Sequence, residues 1–261
     1  MNKIVVVNDK IQFNDSNIDI KEDKSVFGIS VIELNVKCNS FLFLEINLKE
    51  LTKLQFNINL MKNVNLNLFI KTSGCDAKIK YNFTLDDYSS LNVEKYNEVS
   101  VLNEMVLVNL NGISSKIDYL FKSICVNKEN YDYVINHNKE KTCSNIKNNG
   151  VNLNGVMNIQ ITGKVPNGIN DCICNQYNRI INLSKNKCEI RPILYIDSKE
   201  VSANHSALIG SFEDEELFYL KTMGIDEHTA YDLLIKGFLL SNITNDCIKS
   251  KIEDDIKKYW R

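Results

Sequence analysis

One histidine and three cysteines supply the side chains from which a soft-metal site can be built. His205 stands in the run Ala203-Asn204-His205-Ser206-Ala207, at the end of a strand-like segment and among small residues. An imidazole so placed has room around it for a metal or a partner, although a histidine merely hydrogen-bonded on a strand edge has the same signature. Cys172 and Cys174 lie two apart, so on a strand they share one face. Two thiolates there can hold a soft metal or a cluster; two small core residues look identical in sequence. Cys188 precedes His205 by seventeen residues, about one coil of a β-solenoid, which would stack the two on adjacent rungs. In a sandwich that spacing means nothing.

Other chemistries lack their residues. The sequence contains no phosphate-binding loop, no G-x-G-x-x-G after a strand, no H-E-x-x-H and no G-x-S-x-G. The three histidines are far apart, with His137 in the polar loop Asn136–Lys141 and His228 at a helix start, and neither is assigned a role. A net charge of −2 argues against a nucleic-acid footprint. No run approaches the ~20 apolar residues of a membrane helix, and the short run Met1–Asn8 reads as a first strand rather than an export signal. Eight scattered cysteines with no C-x-x-C pair fit a reduced, cytoplasmic setting better than a disulfide framework or a structural zinc site.

The elements that must position these residues fall into two textures. Up to about Val165 the pattern is alternation: Leu54, Phe56, Ile58 and Leu60; Val64, Leu66, Leu68 and Ile70; Ala77, Ile79, Tyr81, Phe83 and Leu85; Val151 through Ile161. Period two buries one face of a strand and solvates the other. Strands recur about every ten residues with no helix between them, which excludes a βαβ layout. A sandwich or barrel and a β-solenoid both remain, and without a visible strict repeat the pattern alone leans slightly to the sandwich.

After Gly210 three helices are expected. The first opens on Asp214-Glu215-Glu216, carries Leu217, Phe218 and Leu220, and stops at Gly224. The second starts at Asp226 as N-cap and carries Ala230, Leu233, Leu234 and Phe238. The third places Ile248, Ile252, Ile256 and Trp260 on one face, with Lys251/Asp255 and Glu253/Lys257 pairs beside it. Two units follow: a core over 1–210 and a helical subdomain over 211–261. The first helix is apolar on more than one side, which means either core packing or a face kept for another protein.

Residues from about 135 to 240 resemble the SufB/SufD family of iron–sulfur cluster assembly proteins. The stretches that carry the resemblance are Asn136-His137, Ser144-Asn145-Ile146, Gly150-Val151, Gln176-Tyr177-Asn178-Arg179, Pro192, Tyr195-Ile196 and Asn204-His205-Ser206-Ala207. Glu215 through Leu220, Gly224-Ile225 and Ala230 through Phe238 complete it, and the run from Ala203 to Leu239 is the specific part.

This resemblance implies a mainly β protein, a right-handed parallel β-helix followed by a small C-terminal α-helical subdomain, and so reverses the lean to a sandwich. It implies a non-catalytic scaffold that transiently holds an iron–sulfur cluster or iron and binds no nucleotide itself. The implied partners are a SufC-like ABC ATPase and a second scaffold chain, as a homodimer or as a heterodimer with a SufB-like chain. His205 matches the histidine tied to cluster or iron binding, and the helices over 214–223 and 227–240 match the ATPase-docking region, which points to Leu217, Phe218, Leu220, Leu234 and Phe238. Asn178 stands where SufB-type members carry the assembly cysteine, Ala203 replaces a cysteine of some SufD forms, and Ser206 replaces a glutamate. Because thiolate is the preferred ligand of such clusters, either Cys174 or Cys188 substitutes from a neighbouring rung, or the chain is a SufD-like subunit supporting another. The rivals are a cluster-free SufD-like adaptor and a β-helix carbohydrate-active enzyme; the latter needs an acidic and basic cluster that is not evident.

Overall fold

The protein is described here from a computed structural model, covering residues 2–16, 18–24 and 28–260. Met1, which opens the first expected strand, and Arg261, which closes the helical unit, lie outside the described residues. Seventeen strands precede three helices among these residues. In chain order the strands are β1 (Asn2–Val7), β2 (Lys10–Asp15), β3 (Asp19–Lys24), β4 (Ser30–Val36), β5 (Ser40–Leu48) and β6 (Thr52–Leu60). There follow β7 (Asn65–Gly74), β8 (Ala77–Leu85), β9 (Ser90–Val99), β10 (Val101–Leu110), β11 (Lys116–Cys125) and β12 (Lys128–His137). The last are β13 (Cys143–Asn152), β14 (Val156–Val165), β15 (Cys172–Asn182), β16 (Glu189–Ile196) and β17 (Val201–Gly210), then α1 (Asp214–Thr222), α2 (Glu227–Leu240) and α3 (Asp246–Tyr259).

The strands form two sheets, ordered β17-β15-β13-β11-β9-β7-β5-β1-β2 and β16-β14-β12-β10-β8-β6-β4-β3. From β4 onward each strand pairs in parallel with the strand two further along, so the chain alternates between the sheets and climbs one rung per turn. This is a β-solenoid, and the sandwich favoured by periodicity alone is overturned. Alternation could not decide the matter, because both architectures bury one face of every strand.

The rungs are of unequal length. Leu66 lies beside Leu91, Leu91 beside Ile117, Ile117 beside Ser144, and Ser144 beside Cys174, so the step grows along the chain from 25 to 30 residues. The expected seventeen-residue coil is therefore too short, and Cys188 and His205 do not stack. One corner is built alike on successive rungs: Asn63, Tyr88, Ser114, Lys141 and Asp171 all adopt positive φ, between 55° and 60°. Each sends its backbone N–H to a carbonyl of the next rung's corner, as Tyr88 does to Ile113 at 2.9 Å. That ladder offsets the ~1 kcal/mol strain of a non-glycine residue in the left-handed region.

The lumen between the sheets is the core. Leu66, Leu68, Leu91, Phe56, Tyr81 and Phe83 fill it, and each buried aliphatic or aromatic side chain stabilises the fold by roughly 1.5–3 kcal/mol. At the N-terminal end, β2 and β3 pair antiparallel with β1 and β4 and carry mostly exposed residues, which blunts that edge. Helices α2 and α3 lie against the outer face of the larger sheet, where Ile235, Leu239, Ile248, Ile252 and Ile256 pack with Tyr96, Ile124, Val151 and Ile181, and α1 packs on α2. At the other end β16 and β17 are edge strands, and most of β17 is exposed.

Candidate functional site at the last rung

His205 occupies an inward position on the final rung. Its register partner on β15 is Gln176, which is 1% exposed, while Asn204 beside it points outward and donates to Asn175 at 3.2 Å. No rung covers the imidazole, so it is exposed at the mouth of the lumen. Ala203 and Ala207 flank it on the same face, and both are small. The open position inferred from the sequence is therefore present, although the residue below His205 is an amide rather than a thiol.

Cys174 lies one rung down, in register with Ala203, and is buried. Burial pushes its thiol above the ordinary value, and Gly163 on the facing sheet makes room for it: a Cβ there would meet Cys174 Sγ at 2.5 Å. Cys172 shares its face, is also buried, and bonds the Thr142 hydroxyl at 3.2 Å. Cys188 sits just before β16, buried in the lumen, with Asn152 Nδ2 donating to its Sγ at 3.2 Å. Burial raises its thiol as well. Asn178 is likewise buried, in register with Ala207, and donates to the Ser206 carbonyl at 3.1 Å. Among the described residues no three His, Cys, Asp or Glu side chains converge as a metal cage.

His137 is not a loop residue. It ends β12 and is fully buried, with Nδ1 2.8 Å from Thr142 Oγ1 and Nε2 2.9 Å from Ser144 Oγ. The Thr142 hydroxyl donates to the Lys139 carbonyl at 3.0 Å, so Nδ1 carries the ring proton and Nε2 accepts from Ser144. Burial lowers this imidazole to about 4, so it is neutral and structural. His228 is exposed, stacks on Trp260 with ring centroids 5.6 Å apart, and pairs through Nε2 with the Trp260 carbonyl at 3.0 Å.

The lumen also holds an ionic cluster that sequence reading did not foresee. Lys95 pairs with Glu104, both fully buried, and Lys95 lies over the Tyr81 ring. Glu129 accepts from Ser123 at 2.7 Å and from Tyr131 at 2.9 Å. Burial pushes its carboxyl up to about 7, against the opposing pull of those donors. The signal for Lys95 was its phase: it falls in step with Leu91 and Val93, on the buried side of β9.

The helical subdomain starts directly from the rung that bears His205. Three residues separate Gly210 from Asp214, and α1 buries none of its own residues. Phe218 is 69% exposed, Tyr219 63% and Met223 66%, while Leu217 and Leu220 are half-buried. Leu234 and Phe238, by contrast, pack into the cluster that joins α2 to the sheet. Lys122 and Arg179 both lie over the Phe238 ring at 5.5 Å. Of the five apolar residues expected at a partner surface, Phe218 alone is largely free.

Comparison with known proteins agrees with this arrangement. Residues 79–238 match the SufBD core domain of the SUF system for FeS cluster assembly. A stretch of 113 residues is 31% identical to the iron–sulfur cluster assembly protein SufD of Bacillus subtilis, covering 43% of this chain and 23% of that protein. A SufBD family protein of Mycobacterium leprae is 48% identical over 48 residues, 18% of this chain and 12% of its own. SufD of Plasmodium berghei is 30% identical over 83 residues, 31% of this chain and 6% of its own. The matched stretches thus span under a quarter of each of these relatives. With more than half of its length matching the core domain and its strands wound into a solenoid, the chain belongs to the SufB/SufD family of iron–sulfur cluster assembly proteins.

Proposed function

We propose that this chain is a non-catalytic scaffold subunit of a SUF-type assembly complex in the cytoplasm, working with a SufC-like ABC ATPase that docks on α1. One observation carries the reading: the last rung presents an exposed imidazole and leads, within three residues, into a helix whose Phe218 and Tyr219 side chains are largely exposed. Iron or an iron–sulfur cluster is the cargo, held transiently, and His205 supplies this chain's accessible donor. The two candidate thiols, Cys174 and Cys188, both lie in the lumen, where burial raises them above the ordinary thiol value.

That placement favours a shared site. Thiolate is the usual ligand of such clusters, so an exposed imidazole with buried thiols needs a second chain across the open edge. The exposed edge of β17, with Leu208 and Ile209 uncovered, is the surface on which that chain would sit, whether a second copy or a SufB-like subunit. The SufD-like adaptor reading, without cluster chemistry, stands on the same burial of the thiols. A lysine-rich or nucleotide-cradling surface plays no part in either.

The test is co-purification with the ATPase, followed by anaerobic addition of ferrous iron and sulfide. Phe218→Asp is expected to abolish ATPase capture without lowering stability, since that side chain is solvent-exposed. His205→Ala is expected to weaken the chromophore of the assembled complex while leaving capture intact. Unchanged capture by the Phe218 variant removes the docking assignment; an unchanged chromophore in the His205 variant removes the role of His205, and intact capture with no chromophore at all leaves the adaptor.

A further inference from the structure

Gln176 is the side chain in register beneath His205, and its amide oxygen has no partner among the described residues. The amide nitrogen of Gln176 donates across the lumen to the Ile193 carbonyl at 3.3 Å, which orients the group. Its oxygen, Oε1, is buried and accepts no hydrogen bond. A buried acceptor left unpaired destabilises the fold, so its retention calls for a donor. The rung above offers one candidate at that inward position, the imidazole of His205, which makes no hydrogen bond to another of the described residues. The space around the amide is tightly set: a Cβ on Gly163 would come within 3.1 Å of Gln176 Nε2 and within 3.1 Å of Leu194 Cδ2.

We infer that Gln176 is a positioning residue for His205: its Oε1 accepts the ring N–H, fixing one tautomer and turning the other nitrogen's lone pair out of the lumen toward a ferrous ion or cluster. This rests on the reading of His205 as a cargo donor. The physical logic is that of an outer partner that orients a metal-binding imidazole and raises its basicity; loss of such a partner typically weakens metal affinity 10–100-fold. Gln is suited to the task here because its nitrogen donates to Ile193 while its buried oxygen is left to accept.

Nitrogen-15 NMR of the full chain labelled at histidine tests this without any cargo. With the His205 signals identified by His205→Gln, and at a pH well above the ordinary imidazole value of about 6.5, wild type is expected to show a single neutral tautomer. Gln176→Met, similar in length but lacking the acceptor, is expected to relax His205 to the mixture of a free imidazole. Gln176→Glu, which keeps an acceptor oxygen, is expected to preserve the single tautomer. A mixed tautomer in wild type, or an unchanged single tautomer in the Met variant, overturns the inference; should the Met variant not fold, the wild-type spectrum alone decides.

Ferrous ion binding, measured separately, is expected to weaken at least tenfold in Gln176→Met. If wild type fixes the tautomer yet binds no iron even in its complex, the positioning role stands and the cargo reading falls. If iron binds equally well with and without the Gln176 acceptor, the positioning role falls and the cargo reading stands.

Discussion

Tyr96 on β9 donates its hydroxyl to Asp255 on α3 at 2.8 Å, and both side chains are buried. The bond ties the last helix to the middle of the solenoid across 159 residues of sequence. Lys251 meets the other oxygen of Asp255 at 2.5 Å and also reaches Glu98, so the contact is part of a small charged network under the helix. Tyr96→Phe removes one donor from a carboxylate that remains enclosed. It is expected to cost roughly 1–3 kcal/mol and to increase hydrogen exchange along α3 before the solenoid, measured by denaturant unfolding and exchange mass spectrometry.

Glu129 gives the fold a pH dependence. Its neighbours in the lumen are Glu104, Lys95, Ser123, Tyr131 and the more distant Asn97. Burial raises its folded value from 4.5 to about 7, so the folded state retains a proton that the unfolded chain has released. The stability tied to this proton is fully present below about pH 4.5 and is lost as pH rises to about 7, a total near 3 kcal/mol. Glu129→Gln should flatten that fall. Unfolding curves for both proteins from pH 5 to 8 would show it, and parallel slopes would contradict the assignment.

Gly163 and Cys174 share one volume on facing sheets. With a Cβ at Gly163 only 2.5 Å from the sulfur, Gly163→Ala overpacks the lumen and is expected to cost roughly 1–3 kcal/mol. Cys174→Ala vacates the space. The double variant should then lose less than the sum of the two single losses, a coupling measurable in a double-mutant cycle. Strict additivity would mean that the two residues do not compete for space.

Lys122 closes the end of α2. Its Nζ donates to the Phe238 carbonyl at 2.9 Å and to Ser241 Oγ at 3.0 Å, satisfying a terminal acceptor of the helix and placing a cation at its negative end. Burial, with Lys147 nearby, lowers the amine to about 8. Lys122→Met keeps the apolar stem against Phe238 but loses both bonds. An expected loss of roughly 1–3 kcal/mol, with faster exchange confined to the end of α2, separates this from a general loss of packing.

Much of this was legible residue by residue. Three of the alternating runs are β6, β7 and β8, because period two reports a half-buried strand whatever lies across from it; the run from Val151 to Ile161 is broken by the corner between β13 and β14. Asp226 caps α2, its Oδ1 accepting from Thr229 N at 3.1 Å, and the Ile248, Ile252 and Ile256 stripe of α3 is buried. The Lys251/Asp255 pair formed as spaced, whereas Lys257 meets Asp254 at 3.8 Å in place of Glu253. Exposed pairs three and four apart are nearly equal in energy, so spacing alone cannot choose.

The sequence by itself determined which faces are apolar, where the helices start, and that His205 sits among small residues, since these follow from local periodicity and side-chain size. Tertiary structure decided the rest. The parallel winding, with rungs of unequal length, set Gln176 and not Cys188 beneath His205, and left the imidazole uncovered while enclosing the thiols. The physical reason is that register between distant strands depends on corner lengths and on packing across the lumen, neither of which is written in the alternation of any single strand.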